Sequence, residues 1–346
     1  MKAAALTGIR EIKLIDIPKP EIQASDDVLI RIKSIGVCGS DMHYYKEGRI
    51  GTQIVNFPFI MGHEFAGEIV EVGSDVKDLK PGDKVAVDPN IHCGKCDQCL
   101  NGRPHTCLNG IAVGVPGQVE GCNTEYIVVP DRNCFVIPDS MTYDEGMLVE
   151  PFSIGYYATS LAGDLKGKNC AVFGFGPIGM SVFQALKMQD VKSTFISEKL
   201  DYRCEMADKQ GADLVVNPDN EDIEIKGKEL AEYGFDVAFD ATGSQEAVDD
   251  AIRLLKPGGM LLIIGIPDFD RWSFRADEMR RKELTIRNVR RQNGYEQKAI
   301  DAIAQGKVDL KPMVTHRFTL EDTAKAYELV AGYKDGVMKA VIEVNG

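Results

Sequence analysis

Hydrophobic and polar residues alternate along this chain in two different patterns, and the change falls after Pro151. Up to about residue 150, apolar runs of strand length are separated by turns rich in Gly, Pro and Asp. The clearest of these runs are residues 28–32, 65–72, 84–87 and 126–129. This pattern predicts an irregular, mostly antiparallel β domain.

After Pro151, runs with the period of a helix alternate with short apolar runs. Strands are predicted at residues 170–173, 194–196, 214–216, 237–239 and 261–264. Helices are predicted after residue 177, over 201–210 and over 244–255. Regular alternation of strands and helices predicts a parallel sheet wound on both faces, so the fold class is α/β.

The last segment, residues 296–346, contains helical stretches and a strand-like run at 340–344. The residues alone leave open whether it extends the α/β domain or returns to the first one. A chain of 346 residues with 44% hydrophobic residues is long enough for two domains with separate cores.

The net charge of −13 disfavours association with nucleic acids or anionic membranes, because the long-range field repels both. The first residues lack the extended apolar core of a signal peptide, so we expect a cytoplasmic protein. Four of the nine cysteines cluster within one loop. In a reducing compartment such a cluster indicates metal ligation rather than disulfides.

A glycine-rich turn follows the first predicted strand of the α/β domain. Its motif residues are Gly174, Gly176, Pro177, Ile178 and Gly179. The glycines allow a tight turn and close approach of the backbone to a pyrophosphate at the start of a helix. Glu198, nineteen positions after Gly179, can accept hydrogen bonds from ribose hydroxyls and repel a 2′-phosphate, which favours NAD over NADP. Lys199 and Arg203 keep NADP open, and a turn that binds nothing is the alternative.

Four cysteines in the first domain have the spacing C-x2-C-x2-C-x7-C. They are Cys93, Cys96, Cys99 and Cys107. Four thiolates complete the tetrahedral coordination of zinc, so this site is predicted to be structural. The alternative is an iron–sulfur cluster, whose bacterial signature closes after three residues with Cys-Pro, whereas here Leu108 follows the last cysteine.

A second metal site is predicted from distant residues, namely Cys38, His63, Glu64 and Glu150. Individually these residues are unremarkable, since a lone cysteine is usually a small buried hydrophobe and a lone histidine a satisfied polar group. Together they offer sulfur, nitrogen and oxygen ligands. Fewer than four firm protein ligands would leave a position for water or a substrate oxygen, as a catalytic zinc requires.

These motifs together resemble the zinc-containing medium-chain dehydrogenase/reductase family. Residues 62–67 with Gly73 resemble its zinc signature, residues 38–41 its first zinc-ligand loop, and the four-cysteine loop its structural site. The resemblance implies a GroES-like catalytic domain over 1–152, a Rossmann NAD-binding domain over 153–295, and a segment, 296–346, that returns to the catalytic domain. It also implies a homodimer or homotetramer.

Within this family, Glu150 followed by Pro151 is similar to the sorbitol and threonine dehydrogenase branch. Arg291 falls where sorbitol dehydrogenases have a substrate-contacting arginine, although Gln292 replaces the neighbouring tyrosine. With Tyr44 it is the expected substrate contact. The resemblance implies oxidation of a secondary alcohol, such as a polyol, by NAD, and L-threonine or a sugar or sugar phosphate are alternative substrates.

The resemblance also implies roles in proton transfer for Ser40 and His43, which match the family's relay from the substrate hydroxyl to solvent. Each of these assignments has a plainer alternative: His43 as a surface residue, Glu150 as a solvated carboxylate, and Arg291 in an interdomain salt bridge. A noncatalytic nucleotide-binding module is the alternative of another class. It would lack a ligand or relay residue, and all of them are present here.

Overall fold

The computed structural model describes residues 1–344, and the chain separates into two compact units. The first unit consists of Met1–Glu150 together with the segment that begins at Glu296, and the second unit is Pro151–Tyr295. No helix within the described part of the chain is long and apolar enough to cross a membrane.

The first unit up to Glu150 is mostly β structure with three short helices. Its strands are β1 (Lys2–Gly8), β2 (Glu11–Asp16), β3 (Asp27–Gly36), β4 (Arg49–Ile50), β5 (Gln53–Ile54), β6 (Phe59–Ile60), β7 (Glu64–Val72), β8 (Lys84–Val87), β9 (Asn90–Ile91), β10 (Ile111–Ala112), β11 (Tyr126–Pro130) and β12 (Cys134–Val136). Its helices are α1 (Gly39–Glu47), α2 (Asp97–Leu100) and α3 (Tyr143–Met147). The hydropathy pattern did not predict α1, which begins directly after Cys38 and ends at the left-handed Gly48.

The second unit alternates helices and strands, as its sequence pattern predicts. The chain enters it through α4 (Val149–Leu161). Then follow β13 (Asn169–Phe173), α5 (Pro177–Lys187), β14 (Ser193–Ser197), α6 (Asp201–Lys209), β15 (Leu214–Val216), α7 (Ile223–Leu230), β16 (Phe235–Asp240), α8 (Gln245–Leu254), β17 (Leu255–Ile263), α9 (Ala276–Lys282) and β18 (Thr285–Asn288). Helix α8 begins where predicted, because the Ser244 hydroxyl accepts a hydrogen bond from the Ala247 amide and caps it.

All six strands of the second unit are parallel, in the order β15-β14-β13-β16-β17-β18. This is the doubly wound order in which the chain reverses direction beside β13, and ligands of such sheets bind at that switch point. Buried rings of Phe173, Phe195 and Phe235 pack in series below it. The α/β fold class with a Rossmann-type sheet is confirmed.

The chain returns to the first unit through α10 (Glu296–Ala304), β19 (Val314–Thr319), α11 (Thr323–Ala331) and β20 (Lys339–Glu343). Strand β20 pairs antiparallel with β3, which also pairs with β7. The main sheet of this unit has the order β12-β8-β7-β3-β20-β19, with β11 on β3. Strand β20 therefore lies inside the sheet, between β3 and the edge strand β19, and β3 separates it from β7.

Candidate metal centres and cofactor site

Cys38 and His63 meet because the strands beside them are antiparallel neighbours. Strand β3 ends at Gly36, which pairs with Glu64, the first residue of β7. The residues just after β3 and just before β7 therefore lie at the same end of the sheet. The ligand atoms of Cys38, His63 and Glu64 all lie within 4.8 Å of one another. A Cβ at position 36 would overlap the Glu64 carboxylate, so a larger residue there would have to displace it.

The imidazole of His63 is oriented by a buried carboxylate. Its Nδ1 lies 3.3 Å from Oδ1 of Asp41, a residue with no solvent exposure. With the proton on Nδ1, the lone pair of Nε2 is available to a metal. Ser40 Oγ donates to Cys38 Sγ at 3.3 Å and lies 3.5 Å from His63 Nε2. Ser40 is thus in contact with two of the three clustered residues.

Glu64 forms an ion pair with Lys339, and both side chains are only 1% exposed. The lysine comes from the first position of β20, and its Nζ also donates to the Val37 carbonyl at 3.4 Å. Burial alone would lower the pKa of Lys339, but the charges of Glu64 and Cys38 raise it above its usual range. The C-terminal strand therefore supplies a buried cation at the edge of the cluster.

Glu150 lies at the start of α4, outside the set of three but within its electrostatic influence. Burial and the neighbouring Glu64 raise the pKa of Glu150 to about 7. Loss of water and the same Glu64 carboxylate raise the pKa of the Cys38 thiol. A divalent cation would lower both pKa values, because it stabilises the thiolate and the carboxylates together. The donor set of sulfur, imidazole nitrogen and carboxylate oxygen suits zinc.

The four cysteines of the zinc loop converge in the structure. Sγ of Cys96 lies 3.5 Å from that of Cys99 and 3.7 Å from that of Cys107, which in turn is 3.4 Å from Cys93 Sγ. Tetrahedral zinc with Zn–S bonds of about 2.3 Å requires separations of about 3.8 Å. Backbone amides near Lys95 lower the pKa of Cys93 to about 6, whereas burial and its thiol neighbours raise the pKa of Cys99 to about 12. The group therefore needs a cation to ionise fully.

The predicted relay and substrate residues lie in different environments. His43 is a half-buried residue of α1. Tyr44 is buried, and its hydroxyl donates to Gln53 at 3.0 Å. Arg291 belongs to the second unit, where its backbone is left-handed with φ of 50°. Their roles stay predictions.

The glycine turn of the second unit has the geometry that a dinucleotide site needs. Gly174 is left-handed, and a Cβ at Gly179 would overlap the Gly174 carbonyl oxygen. Gly176 immediately precedes α5, and the only atoms near its missing Cβ belong to Arg203, with a guanidinium nitrogen 3.3 Å away. Pro177 and Ile178 form the first turn of the helix, and the helix N-terminus favours an anion.

Glu198, just after β14, is nearly buried and holds this turn in place. Its Oε2 accepts from the Phe175 amide at 2.7 Å, while Oε1 accepts from the amides of Lys199 and Leu200 at 2.8 and 2.9 Å. A carboxylate offers about four acceptor positions, so these three bonds leave one for a ribose hydroxyl.

The sequence analysis predicted no role for three residues around the metal cluster, namely Asp41, Tyr327 and Lys339. Asp41 lies inside the first zinc-ligand motif, but nothing in its spacing indicates a contact with His63. Lys339 did leave a signal, because it is a single charge at the start of the apolar run 340–342 and lysine is almost never fully buried without a partner. Tyr327 resembles an ordinary core aromatic residue.

The chain matches two family descriptions, "Alcohol dehydrogenase GroES-like domain" over residues 24–139 and "Zinc-binding dehydrogenase" over 177–305. It is 36% identical to sorbitol dehydrogenase of Bacillus subtilis over 100% of this chain and 98% of the relative. It is 33% identical to L-threonine 3-dehydrogenase of Cronobacter sakazakii, over 97% and 98%. An oxidoreductase/dehydrogenase of unknown specificity from Escherichia coli superposes with a TM-score of 0.94 at 32% identity, covering 100% and 99%.

Fold and motifs thus define a zinc-binding dehydrogenase, an enzyme that uses zinc and a nicotinamide cofactor. The chain belongs to the zinc-containing medium-chain dehydrogenase/reductase family, in its sorbitol dehydrogenase-like branch.

Proposed function

We propose that this enzyme oxidises a secondary alcohol of the polyol type with NAD as hydride acceptor. It would use zinc held by Cys38 and His63, with Glu64 and Glu150 binding directly or through water. The observation that supports this most is the convergence of the first three residues within 4.8 Å. When bound, zinc polarises the substrate hydroxyl and lowers its pKa, and NAD accepts the hydride. The four-cysteine loop is proposed as the structural zinc site.

Side chains of the protein then carry the proton of the substrate hydroxyl away from the site. Ser40 Oγ is within 3.5 Å of both Cys38 Sγ and His63 Nε2, so a hydroxyl group bound beside these atoms would reach it. Ser40 would take up that proton while it releases its own hydroxyl proton, and His43 would pass the released proton towards solvent. Asp41, in contact with Nδ1 of His63, is proposed to keep the imidazole turned towards the metal. Tyr44 and Arg291 are proposed as substrate contacts.

A polyol is favoured as substrate because the chain is 36% identical to sorbitol dehydrogenase over its full length. Identity of 33% to L-threonine 3-dehydrogenase makes the amino alcohol a second candidate. An oxygen ligand such as Glu150 in place of a thiolate gives the site a more polar lining, which suits a polyhydroxylated molecule.

A substrate panel tests this proposal. The zinc-loaded enzyme is mixed with NAD and, separately, sorbitol, xylitol, a sugar phosphate and L-threonine, and NADH formation is followed by absorbance. We expect the highest kcat/KM with a polyol. A higher kcat/KM with L-threonine would show that the enzyme is an amino-alcohol dehydrogenase and not a polyol dehydrogenase. Inactivity towards every secondary alcohol would contradict the proposed activity.

We propose that the cofactor binds at the turn from Gly174 to Gly179, with Arg203 beside Gly176 as a further contact. Glu198, which is bonded to this turn, favours NAD over NADP. We expect Glu198→Gln to lower the preference for NAD over NADP about tenfold or more, because one negative charge near the 2′-phosphate is removed. The preference is the ratio of the kcat/KM values for the two cofactors. Glu205→Gln, at an exposed position of α6, is the matched control and should leave the ratio unchanged. An unchanged ratio in Glu198→Gln would refute this role.

We propose further that the enzyme is cytoplasmic and a homodimer or homotetramer. All nine cysteines are free thiols, which agrees with a reducing compartment.

A further inference from the structure

A chain of buried polar side chains ends at the metal cluster. Its members are Asn123, Tyr327 on α11, and Asp41, and none of the three has any solvent exposure. Buried polar groups are costly unless they are hydrogen-bonded to one another. The final member of the chain is His63, through its contact with Asp41.

The directions of these hydrogen bonds follow from the donors available. Asn123 Nδ2 donates to the Tyr327 hydroxyl at 2.8 Å. Because that oxygen already accepts, its single proton points to Asp41 Oδ2, 3.4 Å away. The other oxygen of Asp41 faces His63 Nδ1 at 3.3 Å. Two hydrogen bonds thus link Asn123 to Asp41, and an ion-pair contact links Asp41 to the His63 ring.

Asn123 and Tyr327 each have a further contact that holds them in place. The Asn123 backbone amide donates to the Met61 carbonyl at 3.0 Å, and its carbonyl accepts from Ala4 at 2.8 Å. The ring of Tyr327 packs against that of Tyr45, with centroids 5.7 Å apart. Burial and the Asp41 charge raise the pKa of Tyr327 well above its usual value, so its hydroxyl stays a donor.

We propose that Tyr327, anchored by Asn123, is a positioning residue for the metal centre: through Asp41 it orients the imidazole of His63 towards the metal. This inference rests on the zinc site of the proposed function. It assigns to the C-terminal segment a part in retaining the metal, although α11 contributes no ligand. Outer contacts of this kind fix ring orientation and typically change metal affinity about 10- to 100-fold when lost.

The test compares Tyr327→Phe with Tyr45→Phe, a matched substitution of the neighbouring ring, whose hydroxyl contacts Arg10 and Glu328 instead. Zinc-loaded protein is mixed with the chelator 4-(2-pyridylazo)resorcinol, and release of the two zinc ions is followed as two phases. We expect Tyr327→Phe to accelerate one phase about five- to tenfold, since the lost contact is one step beyond the direct partner of His63. Release from the four-cysteine site is the internal reference and should not change.

Asn123→Ser provides a second variant, since it frees the Tyr327 hydroxyl to turn away from Asp41. We expect the same phase to accelerate, by a smaller factor. Release rates in Tyr327→Phe equal to those in Tyr45→Phe, or an equal change in both phases, would overturn the positioning role. A wild-type protein with a single zinc per chain would contradict the proposed catalytic zinc site itself. The measured zinc content therefore distinguishes failure of the proposed function from failure of the positioning role.

Discussion

Replacing Cys38 with serine is expected to abolish dehydrogenase activity and to lower the zinc content from about two ions per chain to about one. Serine is nearly the same size, but its hydroxyl does not ionise as a thiol does and is a poor zinc ligand. A metal that polarises the substrate oxygen supplies several kcal/mol, at about 1.4 kcal/mol per tenfold in rate. We therefore expect kcat/KM to fall on the order of 10³-fold.

The matched control is Cys134→Ser, since Cys134 is a half-buried thiol on β12 whose Sγ contacts the Pro130 carbonyl. It should retain both zinc ions and full activity. Metal content by mass spectrometry and NADH formation are measured on the same preparations. A Cys38→Ser protein that keeps about two zinc ions and its activity would contradict the assignment of Cys38 as a ligand.

The second large effect is expected for Lys339→Met, which removes the cation from a fully buried ion pair. Glu64 would then stay buried without its partner, and breaking such a pair typically costs about 3–5 kcal/mol. We expect the Tm of the first unit to fall by roughly 10 °C, measured by calorimetry on protein from which zinc has been removed, because bound zinc would itself compensate the charge of Glu64. Methionine has a similar length, so the loss reflects charge rather than a cavity.

Two further variants separate this electrostatic cause from general damage to the core. Lys80→Met removes a lysine that is 80% exposed and pairs with Asp83, and it should cost less than about 1 kcal/mol. Adding Glu64→Gln to Lys339→Met removes the uncompensated charge and should restore most of the lost stability. If Lys339→Met were as stable as Lys80→Met, this would contradict the expected contribution of the Lys339–Glu64 ion pair to the stability of the protein.

The sequence was sufficient to predict the α/β class and the glycine turn, because both depend on local periodicity and on short motifs. The turn after β13 shows this well: Gly174 has a positive φ of 84°, and a Cβ at Gly179 would overlap the Gly174 carbonyl oxygen. Cys38 and His63 could be grouped only through their motifs, since 25 positions separate them. The structure brings them together because β3 and β7 are paired.

The contacts around the metal cluster could not be predicted in the same way. Lys339 reaches Glu64 because β20 pairs with β3, a register between strands about 300 residues apart in sequence. Tyr327 and Asn123 meet across 204 positions, and neither residue type is unusual in a protein core. Helix α1 was missed because its polar residues show little helical periodicity. Its formation is what brings Asp41 under His63.

The proposed chemistry requires two separate zinc ions on one chain, one of them held by Cys38 and His63. Anomalous diffraction at the zinc absorption edge, from crystals of the purified enzyme, tests this most directly. We expect two peaks per chain, one among Cys93, Cys96, Cys99 and Cys107 and one bonded to Cys38 Sγ and His63 Nε2. A single peak in the four-cysteine loop, with none at Cys38, would contradict it.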